Sequence, residues 1–248
     1  MNDIKTVGVA GSGMMGSGIA EVAAKAGFEV LVRGRTQSAA DAALGRMAKS
    51  LDFQVDKGKL SSEDSTAAFS RVTTTTDLDD FERCNIVVES VVEDLGVKKQ
   101  LFAELDRICG DDTILATNTS TLSVNDISLG TTRPERILGL HFFNPAPRMP
   151  VVELVHTPTT AEETIDAARQ FATDCGKEAV TVKDNAGFIV NALLFPYLNG
   201  AVQMLDSEIA SRDDIDAAMK GGCGFPMGPL QVLDLVGLDV SLSILEAL

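Results

Sequence analysis

The first apolar run, Ile4 to Ala10, is rich in β-branched residues and enters Gly11-Ser12-Gly13-Met14-Met15-Gly16, then an alanine-rich stretch from Ser17 to Ala26. A short continuous apolar run bounded by glycine reads as a buried strand, so this opening is strand, turn, helix. A second run at Phe28 to Val32 precedes a long helical stretch from Gln37 to Lys57. Further buried-strand patterns lie at Asn85 to Glu89, Thr113 to Thr117, Arg136 to Leu140, Val151 to Val155 and Ala179 to Val182, most of them separated by helical periodicity. The alternation predicts an α/β fold with a Rossmann-like, mostly parallel sheet. After Asp184-Asn185-Ala186-Gly187 the strand patterns cease, and Phe188 to Leu205, Arg212 to Lys220 and Leu230 to Leu248 all read as helical. Residues 1–186 are therefore expected to form the sheet domain and residues 187–248 an all-α C-terminal domain. That second domain is expected to be truncated, because the apolar periodicity runs to Leu248 without a capping signal.

The 248 residues are 45% hydrophobic and 23% charged, which supports a sizeable core, and the net charge is −15. Such a balance repels a nucleic-acid backbone and an anionic membrane surface. An anionic small ligand must then be held by backbone amides or by a few local Lys and Arg side chains. No apolar run approaches the roughly 18–20 residues of a membrane span, and the opening Met1-Asn2-Asp3 lacks a basic-then-apolar leader. Cys84, Cys109, Cys175 and Cys223 are widely spaced, with only His141 and His156 as imidazole partners, so no thiolate metal site is expected. The chain reads as a cytoplasmic protein with reduced thiols.

Gly-x-Gly-x-x-Gly carries weight here because it follows a strand and opens a helix within a βαβ unit. Gly11 permits the tight turn, Gly13 lets backbone amides approach a pyrophosphate at the helix N-terminus, and Gly16 allows close helix–strand packing; Met14 and Met15 lie between them. A dinucleotide is the expected ligand. An acidic residue about 20 positions on should hydrogen-bond the adenosine ribose. Instead, position 34 is Gly, flanked by Arg33 and Arg35. A carboxylate would repel a 2′-phosphate, whereas Gly34 is expected to leave room for one and a guanidinium to bind it, Arg35 first and Arg33 second. NADP(H) is therefore expected over NAD(H), the alternative being two solvated arginines with NAD accepted.

The two histidines differ in context. His141 ends an apolar strand before the Pro-rich loop, while Glu153 is the odd residue inside Val151-Val152-Glu153-Leu154-Val155. A carboxylate in an apolar strand needs a partner. An antiparallel pairing centred on Pro147 would make 141 and 153 cross-strand neighbours. Imidazole oriented by carboxylate is the acid–base device that alcohol oxidation requires as hydride leaves the same carbon.

With these residues in view, the chain resembles the L-3-hydroxyacyl-CoA dehydrogenase family, closest to its short bacterial 3-hydroxybutyryl-CoA dehydrogenases. The resemblance rests on Gly11–Ala20, Val87–Glu93, Asn118–Ser120, Leu140–Pro147, Gly187–Asn191 and Pro226–Pro229 and covers essentially the whole chain. It implies that His141 and Glu153 are the catalytic dyad. It further implies that Ser120 and Asn191 help to hold the substrate's 3-oxygen, and that Glu93, Lys98, Asn118, Ser120 and Asn144 line the nicotinamide half of the cofactor site. Ser50 and Lys57 match positions that contact coenzyme A and, seven apart, share one helical face. Read alone, Ser120 and Asn191 would be helix caps or packing residues and Lys98 a solvated lysine. A homodimer through the second domain is also implied. The expected activity interconverts short-chain 3-oxoacyl-CoA and L-3-hydroxyacyl-CoA, against two rivals: a β-hydroxyacid dehydrogenase, which would use a lysine base, and a non-catalytic nucleotide-binding regulator.

Overall fold

A computed structural model describes residues 4–248, so Met1-Asn2-Asp3, read above as lacking a leader, lies outside the described residues. The chain divides into two compact units, residues 1–184 and 185–248.

The first unit runs β1 (Thr6–Ala10), α1 (Met14–Lys25), β2 (Glu29–Arg33), α2 (Gln37–Asp56), α3 (Ser62–Ser70), β3 (Val72–Thr75), β4 (Ile86–Glu89), α4 (Leu95–Ile108), β5 (Ile114–Thr117), α5 (Val124–Ser128), β6 (Ile137–Phe142), β7 (Val151–His156), α6 (Glu162–Asp174) and β8 (Glu178–Lys183). One eight-stranded sheet has the order β3-β2-β1-β4-β5-β6-β7-β8. Neighbours are parallel from β3 through β6; β7 then runs antiparallel to β6, and β8 parallel to β7. The chain order reverses between β1 and β4. In such sheets the crevice beyond the strands' C-terminal ends at the reversal receives the ligand, and the Gly11–Gly16 turn sits there.

The core explains the continuous apolar runs. Val7, Val9, Val30, Val32, Ile86, Val88, Ile114 and Ala116 point to one side of the sheet and pack with Ile19, Ala23 and Met47 of the helices. Strands covered on both faces need no polar alternation. Helix starts follow local chemistry: Thr36, Ser61, Asp94 and Ser123 each accept a backbone N–H two or three residues into the helix they open.

Two elements have no counterpart in the sequence pattern, α3 and β3. β3 is the edge strand Val72-Thr73-Thr74-Thr75, whose threonines give β-branching but no apolar run.

The second unit contains α7 (Val190–Asp206), α8 (Arg212–Cys223), α9 (Pro229–Val236) and α10 (Leu238–Ala247). The single helix expected over 230–248 is two, because Gly237 at φ +98° turns the chain between them. Phe195, Leu198, Ile215, Leu230 and Leu233 form its core. Asp216 caps α9 by accepting the Leu230 and Gln231 N–H groups at 2.8 and 3.2 Å. No helix among the described residues is long and apolar enough to cross a membrane.

Candidate active site and cofactor turn

The glycine turn is shaped by what side chains would hit. A Cβ on Gly11, at φ +139°, would lie 2.2 Å from the Ser90 carbonyl oxygen, and one on Gly16 would lie 2.0 Å from that of Gly11. Gly13 differs: nothing lies within 4 Å of its Cβ position, so the backbone there faces open space. α1 begins immediately beyond with no acidic residue in its first turn, and Met14 is exposed there while Met15 is half-buried. Two glycines close the turn and one leaves a cradle of amides at a helix start. These residues fit a dinucleotide pyrophosphate. The Gly11 N–H also donates to the Arg33 carbonyl at 3.1 Å, which brings the end of β2 against the turn.

Gly34 has a packing role besides the cofactor role expected of it. It is buried, and a Cβ there would lie 2.7 Å from Ala40 N and 2.9 Å from the Thr36 carbonyl oxygen. Position 34 is thus packed on the first turn of α2 in the direction a side chain would take, so the fold itself requires glycine there. Arg33 donates from Nε to the Thr76 carbonyl at 3.3 Å, and Arg35 is exposed.

On the same edge of the sheet, β6 and β7 pair in the register inferred from the loop's midpoint, with His141 opposite Glu153. Glu153 is fully buried, and its Oε2 lies 2.7 Å from His141 Nδ1. A carboxylate only accepts, so Nδ1–H donates to Glu153. The Phe143 ring packs 4.6 Å from the imidazole. Lys177 holds the connecting loop by donating to the Ala146 and Met149 carbonyls at 2.7 and 2.8 Å. Burial pushes its ammonium below the usual lysine range. Gly18 lets this loop approach α1: a Cβ there would stand 3.2 Å from Ala146 and 3.3 Å from Pro147. Asn144, which precedes a cis proline, is exposed on the loop.

Lys98 is not a solvated lysine. It is 1% exposed, with its ammonium 2.6 Å from Glu89 and 3.2 Å from Glu93. Glu89, at the end of β4, also accepts the Val91 N–H and the Thr117 hydroxyl, each at 2.6 Å. Glu93 accepts the Thr119 hydroxyl and, at 3.0 Å, the Ser120 N–H. Burial works against the charge on Glu93, but Lys98, the Thr119 hydroxyl and the Ser120 N–H outweigh it and hold the carboxyl below its ordinary range. Asn118 ties this loop to the histidine strand, its Oδ1 accepting the Phe142 N–H at 2.8 Å. Ser123, not Ser120, caps the short helix that follows. The structure therefore brings Glu93, Lys98, Asn118 and Ser120 into one hydrogen-bonded assembly beside His141. Glu89 is its buried anchor, and only a run of apolar neighbours around one carboxylate signals it in the sequence.

Asn191 lies in the second unit, buried near the start of α7. Ser50 and Lys57 lie at the far end of α2, where Ser50 Oγ accepts from Gln54 at 3.3 Å and Lys57 Nζ sits 5.6 Å over the Phe53 ring.

Comparison with known proteins identifies the family. Residues 6–185 match the family described as 3-hydroxyacyl-CoA dehydrogenase, NAD binding domain, and residues 187–248 the 3-hydroxyacyl-CoA dehydrogenase C-terminal domain. A 3-hydroxybutyryl-CoA dehydrogenase of Mycobacterium tuberculosis is 47% identical over 238 residues, covering 95% of this chain and 83% of its own. One from Clostridioides difficile is 42% identical over 240 residues, 97% of this chain and 85% of its own. The crystal structure of M. tuberculosis FadB2 superposes with a TM-score of 0.97 at 44% identity, covering 99% of this chain and 87% of that one. With both domain matches and relatives of this similarity, the chain belongs to the 3-hydroxyacyl-CoA dehydrogenase family, whose first domain binds a nicotinamide dinucleotide.

Proposed function

We propose that this chain interconverts short-chain 3-oxoacyl-CoA and L-3-hydroxyacyl-CoA thioesters, of the acetoacetyl-CoA and 3-hydroxybutyryl-CoA type, with NADP(H) as cofactor. The observation that carries the reading is the buried His141–Glu153 pair at the C-terminal end of β6, on the sheet edge that holds the glycine turn. The turn residues Gly11, Gly13 and Gly16 would hold the pyrophosphate and Glu93, Lys98, Asn118, Ser120 and Asn144 the nicotinamide half. When bound, the nicotinamide supplies or accepts a hydride at the substrate's C3. Glu153 keeps the second proton on Nδ1 and fixes the plane of the ring. His141 Nε2 then gives a proton to the 3-oxygen in reduction and takes the hydroxyl proton in oxidation. Ser120 and Asn191 are neutral donors that bind the 3-oxygen without competing for that proton. Ser50 and Lys57 contact the coenzyme A portion.

The NADP(H) preference rests on the missing carboxylate at the end of β2, where Gly34 stands, and on the guanidinium groups of Arg33 and Arg35 beside it. NAD(H) is the competing reading, favoured by the description of the matched domain. The second unit exposes Leu193, Ile209, Leu235 and Leu238, apolar surface of the kind a homodimer covers. The cysteines are free, which suits the reducing cytoplasm.

The test follows the near-ultraviolet absorbance of reduced cofactor mixed with the protein and acetoacetyl-CoA. Thioester-dependent oxidation, faster with subsaturating NADPH than with NADH, is expected. Equal or better use of NADH overturns the cofactor assignment. Absence of thioester dependence with both cofactors overturns the enzyme reading in favour of a nucleotide-binding regulator.

A further inference from the structure

Among the basic residues near the glycine turn, Arg46 has no part in the sequence reading, yet it reaches the turn directly. From the third turn of α2 its Nε donates to Ser17 Oγ at 3.1 Å, and an Nη donates to the Ser12 carbonyl. Ser17 is itself oriented by donating to the Gly13 carbonyl at 2.7 Å. The guanidinium is thus fixed over the second residue of Gly11-Ser12-Gly13, beside the open cradle at Gly13.

Three further observations bear on what it does there. First, Arg46 is within ion-pair distance of no carboxylate among the described residues, a state it shares with Arg33 and Arg35 but not with Arg133, Arg136, Arg169 or Arg212. In a chain of net charge −15, an arginine seated on a carbonyl and a hydroxyl keeps its charge available to an anion. Second, its two bonds use two of the five N–H donors, so a fork remains for bidentate recognition. Third, Arg46 and Ser50 are one helical turn apart, with Lys57 two turns further along α2. Arg46 therefore lies between the glycine turn and the distal end of that helix.

We infer that Arg46 is a binding residue for a phosphate ester on the ribose of an adenine nucleotide. Two sources carry this chemistry under the function proposed above, on which the inference rests: the 2′-phosphate of NADP(H) and the 3′-phosphate of coenzyme A. Its contact with the Ser12 carbonyl, next to Gly11 whose N–H meets the Arg33 carbonyl at the end of β2, favours the first. A purely structural arginine would instead brace the turn and affect every nucleotide alike.

Isothermal titration calorimetry with three probes separates these outcomes: adenosine 2′,5′-bisphosphate, adenosine 3′,5′-bisphosphate and ADP. The variants are Arg46→Met, which keeps the apolar stem, and Arg46→Lys, which keeps the charge without the fork. Arg46→Met is expected to weaken one bisphosphate roughly 10- to 100-fold while ADP changes less than threefold, with Arg46→Lys in between. The probe affected names the source. Equal weakening of all three probes, or no change in any, overturns the inference, and retained ADP binding serves as the folding control. Failure of the unmutated protein to bind either bisphosphate also overturns the inference, whereas the function proposed above is overturned by the absorbance assay.

Discussion

Lys98 Nζ lies 2.6 Å from Glu89 Oε1, with both side chains withdrawn from solvent. Neither charge is solvated, so each depends on the other. Lys98→Met would strand the Glu89 carboxylate with only the Val91 N–H and the Thr117 hydroxyl. The expected cost is about 3–5 kcal/mol, the range for breaking a buried pair from one side, read as a lower urea midpoint. A loss below about 1 kcal/mol would show that the pair does not anchor the loop. Glu93→Gln should behave differently. Glu93 is partly exposed and fixes the Ser120 N–H, so turnover should fall more than stability does.

The cross-strand pair of His141 and Glu153 separates two contributions to acid–base chemistry. His141→Gln removes the proton carrier and is expected to lower kcat roughly 10²- to 10⁴-fold. Glu153→Gln retains an oxygen that can accept from Nδ1 but loses the charged bond that orients the ring. A smaller fall in kcat is expected, with cofactor affinity unchanged within error. Stopped-flow binding of cofactor alongside steady-state rates checks both. Near-normal turnover of folded His141→Gln would remove the mechanism.

Gly34 bears on the choice of variant for testing cofactor preference. Its Cβ position meets Ala40 N at 2.7 Å and the Thr36 carbonyl at 2.9 Å, so any side chain must shift the first turn of α2. Gly34→Ala is expected to lose about 1–3 kcal/mol by overpacking while leaving the NADPH-to-NADH ratio unchanged. Gly34→Asp should lose at least as much and also lower that ratio. Thermal unfolding of both variants with rates on both cofactors resolves the two effects. A shifted ratio in Gly34→Ala would show that space, not charge, governs selectivity.

The legible parts of this chain were those where local chemistry and topology coincide. The glycine turn sits between an apolar strand and an Ala-rich helix, and a lone glutamate in β7 demanded a partner at a distance fixed by the Pro-rich loop. Other features lie in contacts that one-dimensional pattern does not carry. Lys98 reads as a solvated helix residue until Glu89 is placed under it. Gly34 reads only as a missing carboxylate until α2 folds back on it, and no pattern marks Arg46 until its helix meets α1. β3 escaped because an edge strand needs hydrogen bonds from one neighbour but little apolar surface.

Asp106 provides the pH-dependent case. Burial opposes its ionisation, but the Thr132 N–H at 2.8 Å, the Thr132 hydroxyl at 2.7 Å and Arg133 Nε at 3.0 Å outweigh that, so its folded pKa is lowered. A carboxyl more acidic in the folded than in the unfolded chain stabilises the fold above the unfolded value, and the contribution disappears as pH falls through the folded one. The unfolded value is about 3.9. The difference in urea midpoint between the unmutated protein and Asp106→Asn should therefore be constant from neutral pH down to about 5 and shrink below about 4. Because the amide cannot reproduce the charged bond to Arg133, the variant should be the less stable protein throughout the plateau. A difference that grew on acidification would mean that Asp106 is held protonated rather than ionised, and that the knot between α4 and the start of β6 depends on neutral hydrogen bonds.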